Sequence, residues 1–333
     1  MSRPPEVSAG YEAPEPDQLR LLARVARMYH ERGLKQPQIA SELHLSQPRV
    51  SRLLKQAVDL GVVRTTVTLP PGVYTDLEDR LQSRYGLRDV VVVDAEGAAG
   101  EVLPALGAAA AQYLDAKLTG GDVLGISSWS ETLIATVDAM RGKNTSVVSE
   151  VVQLVGGVGN PQVQVQATRL TSKLAQLTGA APVFMPAPGF VGSAAVRRAL
   201  MQEASIADVA AVWGRLTMAL VGVGSLEPSP LLRSSGNALA ETEQQQLRQL
   251  GAVGDVCYRF FDDTGQHVRR FDQRVVGIGA RELLAVDRRV GVAGGDRKFS
   301  SIRAALQGRW INVLITDLAM ARRLAQAAVE PAS

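Results

Sequence analysis

The chain has 333 residues, 46% of them hydrophobic and 21% charged, which excludes a disordered or fibrous protein and leaves room for two domains with a sizeable core. One cysteine, Cys257, excludes an internal disulfide framework, and three histidines in all argue against a Cys/His metal site, so neither metal nor cofactor is expected. The formal net charge of +3 is unevenly placed: from Arg20 to Arg64 nine Lys/Arg stand against three Asp/Glu, whereas residues 1–19 are acidic and the remainder balances.

A positive field confined to one short segment is the footprint expected of a DNA-binding element, although a solvated basic face would look the same. No basic apolar leader opens the chain and no apolar run reaches membrane-spanning length, so the expectation is a soluble, cytoplasmic protein with no membrane partner.

Residues 1–16 contain Pro4, Pro5, Pro14 and Pro16 among several acids and read as a flexible tail. From Asp17 to Glu31, Leu21, Leu22, Val25 and Met28 recur at helical spacing, and Gly33 follows as a stop. Lys35 to Leu60 reads as two short helices joined by a tight turn. Ile39, Ala40 and Leu43 mark the apolar face of the first, and Val50, Leu53 and Leu54 that of the second.

Pro37 and Pro48 suit first helical turns, His44-Leu45-Ser46 is the connector, and Ser46 is positioned to cap the second helix. Small Ala40 lets the two helices approach closely. The outward face then carries Ser46, Gln47, Arg49, Ser51, Arg52 and Lys55, with Gln36 at the start of the first helix. These are donors and cations suited to base edges and phosphates in a major groove. This is the pattern of a helix-turn-helix. VVRTTVTL follows with strand-like alternation and reads as a short wing that places Arg64 near phosphates.

Residues 17–69 therefore form the expected DNA-binding domain, and Pro70-Pro71-Gly72 breaks the chain after it. In residues 70–88, Tyr74, Leu77, Leu81 and Tyr85 share a helical face, which fits a linker or dimerising helix as well as one packed on the domain that follows. From Asp89 to the end (89–333) short apolar strands alternate with helical runs, which implies an α/β domain with a mostly parallel sheet and right-handed crossovers.

Ligands of such sheets bind beyond the carboxyl ends of the strands. GISSWSET places Ser127, Ser128 and Ser130 before a helix, where they serve either a hydroxyl-rich or anionic ligand or plain capping. LVGGVG supplies Gly156 and Gly157, which permit close backbone approach, but the spacing fits neither a dinucleotide fingerprint nor a phosphate loop. VGVGSLEPSP is a binding loop or a turn. Asp255 can accept hydrogen bonds from sugar hydroxyls, whereas Asp262 and Asp263 shape a turn. Lys298, after Gly294-Gly295, offers a point charge to an anion or donors to hydroxyls.

Taken together, the helix-turn-helix, YGLRDVVVV, GDVLGISSW, LVGGVG, LVGVG, GAVGDVCYRFFDDTG and GVAGGDRKFSSIRAALQGRWINVLITDLAMA resemble the SorC-type (SorC/DeoR-like) sugar-responsive transcriptional regulators. The resemblance spans roughly Asp17 to Ala328. It implies a winged helix-turn-helix followed by an effector domain similar to sugar-phosphate isomerases and CoA transferases, which senses rather than catalyses.

Carried over by position, it also implies a pocket of Ser127, Ser128, Trp129, Ser130, Gly156, Gly157, Asp255 and Lys298, with no catalytic residue. The implied partners are double-stranded operator DNA, a sugar, polyol or sugar phosphate, and further copies of the chain as a homodimer or homotetramer. Many relatives carry glycine or threonine where this chain has Ser128 and Ser130, which leaves a free polyol as open as a phosphate. The competing expectation is an isomerase-like enzyme with an appended DNA-binding segment.

Overall fold

Leu22, Val25 and Met28 lie three and four residues apart, so one face of the first helix is apolar, and all three are buried. The structure, a computed structural model, describes residues 16–63, 70, 72–95, 99–143 and 145–327. Contacts divide the chain into two compact units, 1–69 and 70–333.

The first unit holds α1 (Pro16–His30), α2 (Gln36–Glu42) and α3 (Gln47–Asp59), whose apolar faces bring Ile39, Ala40, Val50, Leu53 and Leu54 onto Val25 and Met28. Pro37 and Pro48 sit in first turns, where a missing N–H breaks no helical bond. The chain turns between α2 and α3 through His44 at φ +52°, and the Leu45 N–H donates to the Ala40 carbonyl at 2.8 Å.

Ser46 stands at the N-cap of α3, but its hydroxyl makes no capping bond, contrary to the sequence expectation. Pro48 removes one of the two N–H groups such a cap engages, and the other, on Arg49, donates to the Ser46 backbone carbonyl at 3.0 Å. The tail at 1–15 and segment 64–69, which contains Arg64 and most of the expected wing, lie outside the described residues.

The second unit opens with α4 (Thr75–Tyr85), which packs on its own unit. Leu81 is fully buried, the Glu78 carboxylate accepts from the Val92 N–H at 2.8 Å, and the Tyr85 hydroxyl donates to the Leu324 carbonyl at 3.1 Å. There follow β1 (Asp89–Val93), α5 (Ala99–Lys117), β2 (Asp122–Ile126), α6 (Glu131–Ala139), β3 (Val148–Gln153), α7 (Pro161–Thr178) and β4 (Ala181–Val183). Next come α8 (Ala194–Gln202), α9 (Ala204–Trp213), β5 (Met218–Val221), β6 (Gly224–Ser225), α10 (Pro230–Ser234), α11 (Glu241–Gln249), β7 (Ala252–Val256), β8 (Arg259–Asp262) and β9 (His267–Val268). The unit closes with α12 (Ala280–Ala285), β10 (Arg288–Val292), α13 (Phe299–Gln307), β11 (Val313–Asp317) and α14 (Leu318–Gln326).

Seven parallel strands run in the order β1-β11-β10-β5-β2-β3-β4. Helices cover both faces, so alternate residues feed two separate cores: Ala219 and Leu314 enter one, Leu220 and Ile315 the other. That is why the strands read as continuous apolar runs rather than alternating ones.

A second, antiparallel sheet, β6-β7-β8-β9, departs from the expected pattern. The run VGDVCYRFFDD folds back on itself at Cys257 and Tyr258, both at positive φ (+54° and +57°). Two such residues make the turn that normally announces itself as Asn-Gly or Asp-Gly, a signal missing here. VVGIG at 275–279 is likewise no named strand. It is held by isolated bridges, Val155 to Gly277 and Phe190 to Val275. Among the described residues no helix is long and apolar enough to cross a membrane, and no His/Cys/Asp/Glu group could hold a metal ion.

Candidate functional site

In the first unit, burial of Val50, Leu53, Leu54 and Ala57 fixes the rotation of α3. Ser46, Gln47, Arg49, Ser51, Arg52 and Lys55 are consequently exposed, and Gln36 is half-buried at the start of α2. Arg49, Arg52 and Lys55 follow one another at three-residue intervals, so their charges line one side of a rigid helix. Cations and amides held at fixed spacing are what reading of base edges between phosphates requires.

In the second unit, the strand order reverses its direction of growth between β2 and β5, and the loops following these two strands therefore flank the switch point of the sheet. After β2, Ser127 receives a hydrogen bond at its hydroxyl from the Gly222 N–H at 3.4 Å. Ser130 and Thr132 share a hydroxyl contact of 2.8 Å, and Thr132 donates on to the Val292 carbonyl at 3.1 Å. The loops after β2, β5 and β10 are thus tied together by short polar side chains.

Two residues of the serine loop point elsewhere. Ser128 is buried and donates to the Val155 carbonyl at 2.9 Å, and the Trp129 indole N–H donates to the Gly156 carbonyl at 3.2 Å. Their polar groups fasten the β2 loop to the glycine loop after β3. Gly156 and Gly157 are buried as well. A side chain on Gly156 would collide with the carbonyls of Ala187 and Pro188, and one on Gly157 would meet the Gln153 amide at 2.8 Å. These glycines serve the packing of chain on chain.

Asp255 and Lys298 are brought together. Asp255 lies on β7, beside Gly224 of β6, where any side chain would strike the carboxylate. One carboxylate oxygen accepts from the Tyr258 N–H at 2.9 Å across the tight turn. Burial pushes the Asp255 carboxyl up to about 6, against the opposing pull of that N–H and of Lys298. Burial pushes the Lys298 ammonium below the usual lysine range, while the charges of Asp255 and Glu131 oppose that shift. The Lys298 ammonium donates to the Val223 carbonyl at 3.0 Å, which sets it against the loop after β5. A carboxyl that titrates near neutrality next to a desolvated ammonium can exchange hydrogen bonds with hydroxyls in either role.

Several contributors escaped the sequence reading. Glu131 acts on Lys298 through space, and Gly224 makes room for Asp255. Asp317 shapes the Lys298 loop: one oxygen accepts from the Gly295 N–H at 2.7 Å and the other caps α14 through the Met320 N–H at 2.8 Å. Arg259 is buried beside the tight turn and donates to the Ile278 and Gly277 carbonyls at 2.8 and 3.1 Å. An acidic residue at the C-terminal end of an apolar strand, as in VLITD, was the signal available for Asp317.

The Sugar-bind family of sugar-binding domains matches residues 71–326. A deoxyribonucleoside regulator of Bacillus subtilis is 33% identical over 310 residues, covering 91% of this chain and 96% of the relative. A sorbitol operon regulator of Klebsiella pneumoniae is 30% identical over 307 residues, covering 90% and 96%. The crystal structure of the full-length sorbitol operon regulator SorC from Klebsiella pneumoniae superposes with a TM-score of 0.71 at 27% identity, covering 93% of this chain and 100% of that one.

Proposed function

The chain belongs to the SorC/DeoR-type transcriptional regulators that carry a sugar-binding domain, and from that premise we propose that it holds operator DNA through α3 and changes that hold when a carbohydrate occupies the strand-end site of its second unit. The observation that carries the reading is the placement of Asp255 and Lys298 together at the switch point of the sheet, in a chain whose other unit exposes Arg49, Arg52 and Lys55 on one helix. Operators with two-fold symmetry present two half-sites, so the acting species is a homodimer or homotetramer in the cytoplasm. Occupancy of the site shifts the population between packings of the effector units, which alters the spacing of the two reading helices.

Sensing is favoured over catalysis. Isomerisation requires a base against a carbon-bound proton and a partner acid. His267 is engaged by Asp272 at 3.1 Å and packs edge-on against Trp310, and Asp255 accepts from the Tyr258 N–H within the field of the Lys298 ammonium. The relatives reported above are named as regulators.

Two measurements test the proposal. Arg49→Ala is expected to weaken binding to the intergenic DNA flanking the gene by about 1–3 kcal/mol with relaxed preference at one base pair, read by titration of matched duplexes. Equal weakening on scrambled DNA would make Arg49 a phosphate contact, and wild-type protein that does not distinguish the two duplexes would end the regulator reading.

A thermal-shift screen of free sugars and polyols beside their phosphates identifies the effector. At about 100 times its dissociation constant a true effector adds roughly 2.7 kcal/mol to the folded state. Stabilisation by phosphorylated members alone makes Lys298 part of an anion site, and stabilisation by free polyols makes the site a reader of hydroxyls.

A further inference from the structure

Helix α14 joins the Lys298 loop at one side to α4 at the other. At its start the buried Asp317 carboxylate holds two N–H donors, Met320 of the helix at 2.8 Å and Gly295 of the loop at 2.7 Å. The loop fits closely there, because Gly295 lies at φ +85° and a side chain on Gly294 would strike the same carboxylate. Further along α14, the Arg323 guanidinium donates to the Asp296 carbonyl and carboxylate, both at 3.1 Å, and lies over the Phe299 ring at 4.4 Å. The loop is thus gripped by α14 at two separate points.

The far end of α14 is held by α4. A helix leaves the carbonyls of its last turn open. Here the Tyr85 hydroxyl donates to the Leu324 carbonyl at 3.1 Å and the Arg84 guanidinium to the Ala325 carbonyl at 3.2 Å. Leu81 of α4 and Leu324 are both fully buried in the same core. Residues 70–74 alone separate α4 from the first unit, and Pro70-Pro71 restrict the freedom of that tether. A loop that shifts on binding must carry Asp317 with it, because a buried carboxylate parted from its donor is costly.

We propose that α14 is the relay between effector and DNA: it couples the Lys298 loop to α4, the helix to which the DNA-reading unit is tethered. Asp317 and Arg323 receive the displacement, and Tyr85 and Arg84 pass it on. The inference rests on the effector acting at the Lys298 loop, as proposed above.

Coupling between two places is reciprocal, so a change at either is felt at the other. Hydrogen–deuterium exchange of the full-length chain, read by mass spectrometry, follows both places without a ligand. Tyr85→Phe removes one hydroxyl from α4 and is expected to speed exchange in residues 293–298 by about fivefold, the population change set by one ordinary hydrogen bond. Lys298→Met should do the same in residues 77–85. Rates are taken relative to β3, so that a general loosening of the fold cancels. Ser127→Ala, at the same site but with its hydroxyl on the Gly222 N–H, should leave residues 77–85 unchanged.

Exchange in either segment that ignores the variant in the other, or a Ser127→Ala effect equal to that of Lys298→Met, would overturn the relay. Tyr85→Phe loses only a hydroxyl, so its half of the test stands even where Lys298→Met fails to fold. Titration of the flanking intergenic duplex separates the relay from the function it serves. A chain indifferent to that DNA whose two segments are coupled removes the regulator reading and leaves the relay. Selective DNA binding with uncoupled segments removes the relay and leaves the regulator.

Discussion

Asp255→Asn is expected to stabilise the effector-free protein at pH 7.5 and, in the same molecule, to abolish its thermal response to effector. The stabilisation follows from the titration of the group. The Asp255 carboxyl rises from 3.8 to about 6 on folding, and at about 1.36 kcal/mol per unit the ionised form costs the folded state up to about 3 kcal/mol near neutral pH. A raised folded value means that the folded state binds the proton more tightly. The favourable contribution is complete below about 3.8 and disappears as pH rises through about 6.

Asparagine reproduces the neutral form and keeps an acceptor for the Tyr258 N–H. It also leaves Lys298 with Glu131 as its remaining acidic neighbour of those that act on it. The gain should accordingly be present at pH 7.5 and nearly absent at pH 4. Thermal melts of the two proteins at both pH values decide the matter, and an equal gain at the two would show that burial of charge is not the cause. A position that lowers stability at working pH is of the kind that function can require, as the ligand role proposed for Asp255 would.

Gly156→Ala is expected to destabilise the protein by about 3 kcal/mol or more, at the upper end of what one added methyl group does in a packed interior. The methyl would fall inside the van der Waals shells of the Ala187 and Pro188 carbonyl groups. Both obstacles are backbone, so no rotamer change relieves the collision. The loop itself is pinned on each side, by the Gly156 N–H on the Val276 carbonyl at 3.0 Å and the Val158 N–H on the Ala187 carbonyl at 3.1 Å.

Movement of this loop would also disturb the Trp129 indole, which donates to the Gly156 carbonyl, and through it the serine loop. Gly192→Ala is the matched control, because nothing lies within 4 Å of the added atom there. Urea midpoints of the two variants measure the difference. A Gly156→Ala protein as stable as the Gly192→Ala protein would mean that the chain crossing is looser than its geometry.

The sequence by itself determined the parts whose contacts are local. In residues 16–63, three short helices bury Leu22, Val25, Met28, Ile39, Val50 and Leu53 by periodicity alone, and the same periodicity turns Arg49, Arg52 and Lys55 outward. Alternation of apolar strands with helices likewise dictated a parallel sheet covered on both faces, and with it the strand ends as the place where a ligand is expected.

Only the tertiary structure decided what those strand ends do. Ser128 and Ser130 stand two residues apart in one loop, yet Ser128 is buried as a fastener and Ser130 bonds Thr132 on the side of the site, a division that depends on where the Val155 and Val292 carbonyls lie. The antiparallel sheet was hidden because its turn is formed by Cys257 and Tyr258, residues that gain left-handed geometry from their surroundings and not from their own preference. That turn fixes Asp255 against the Tyr258 N–H, under Gly224 and within reach of the Lys298 charge. Local propensity acts over a few residues, whereas desolvation and charge pairing act through space. The chemistry of this site therefore exists only once β6, β7 and the start of α13 have been brought together.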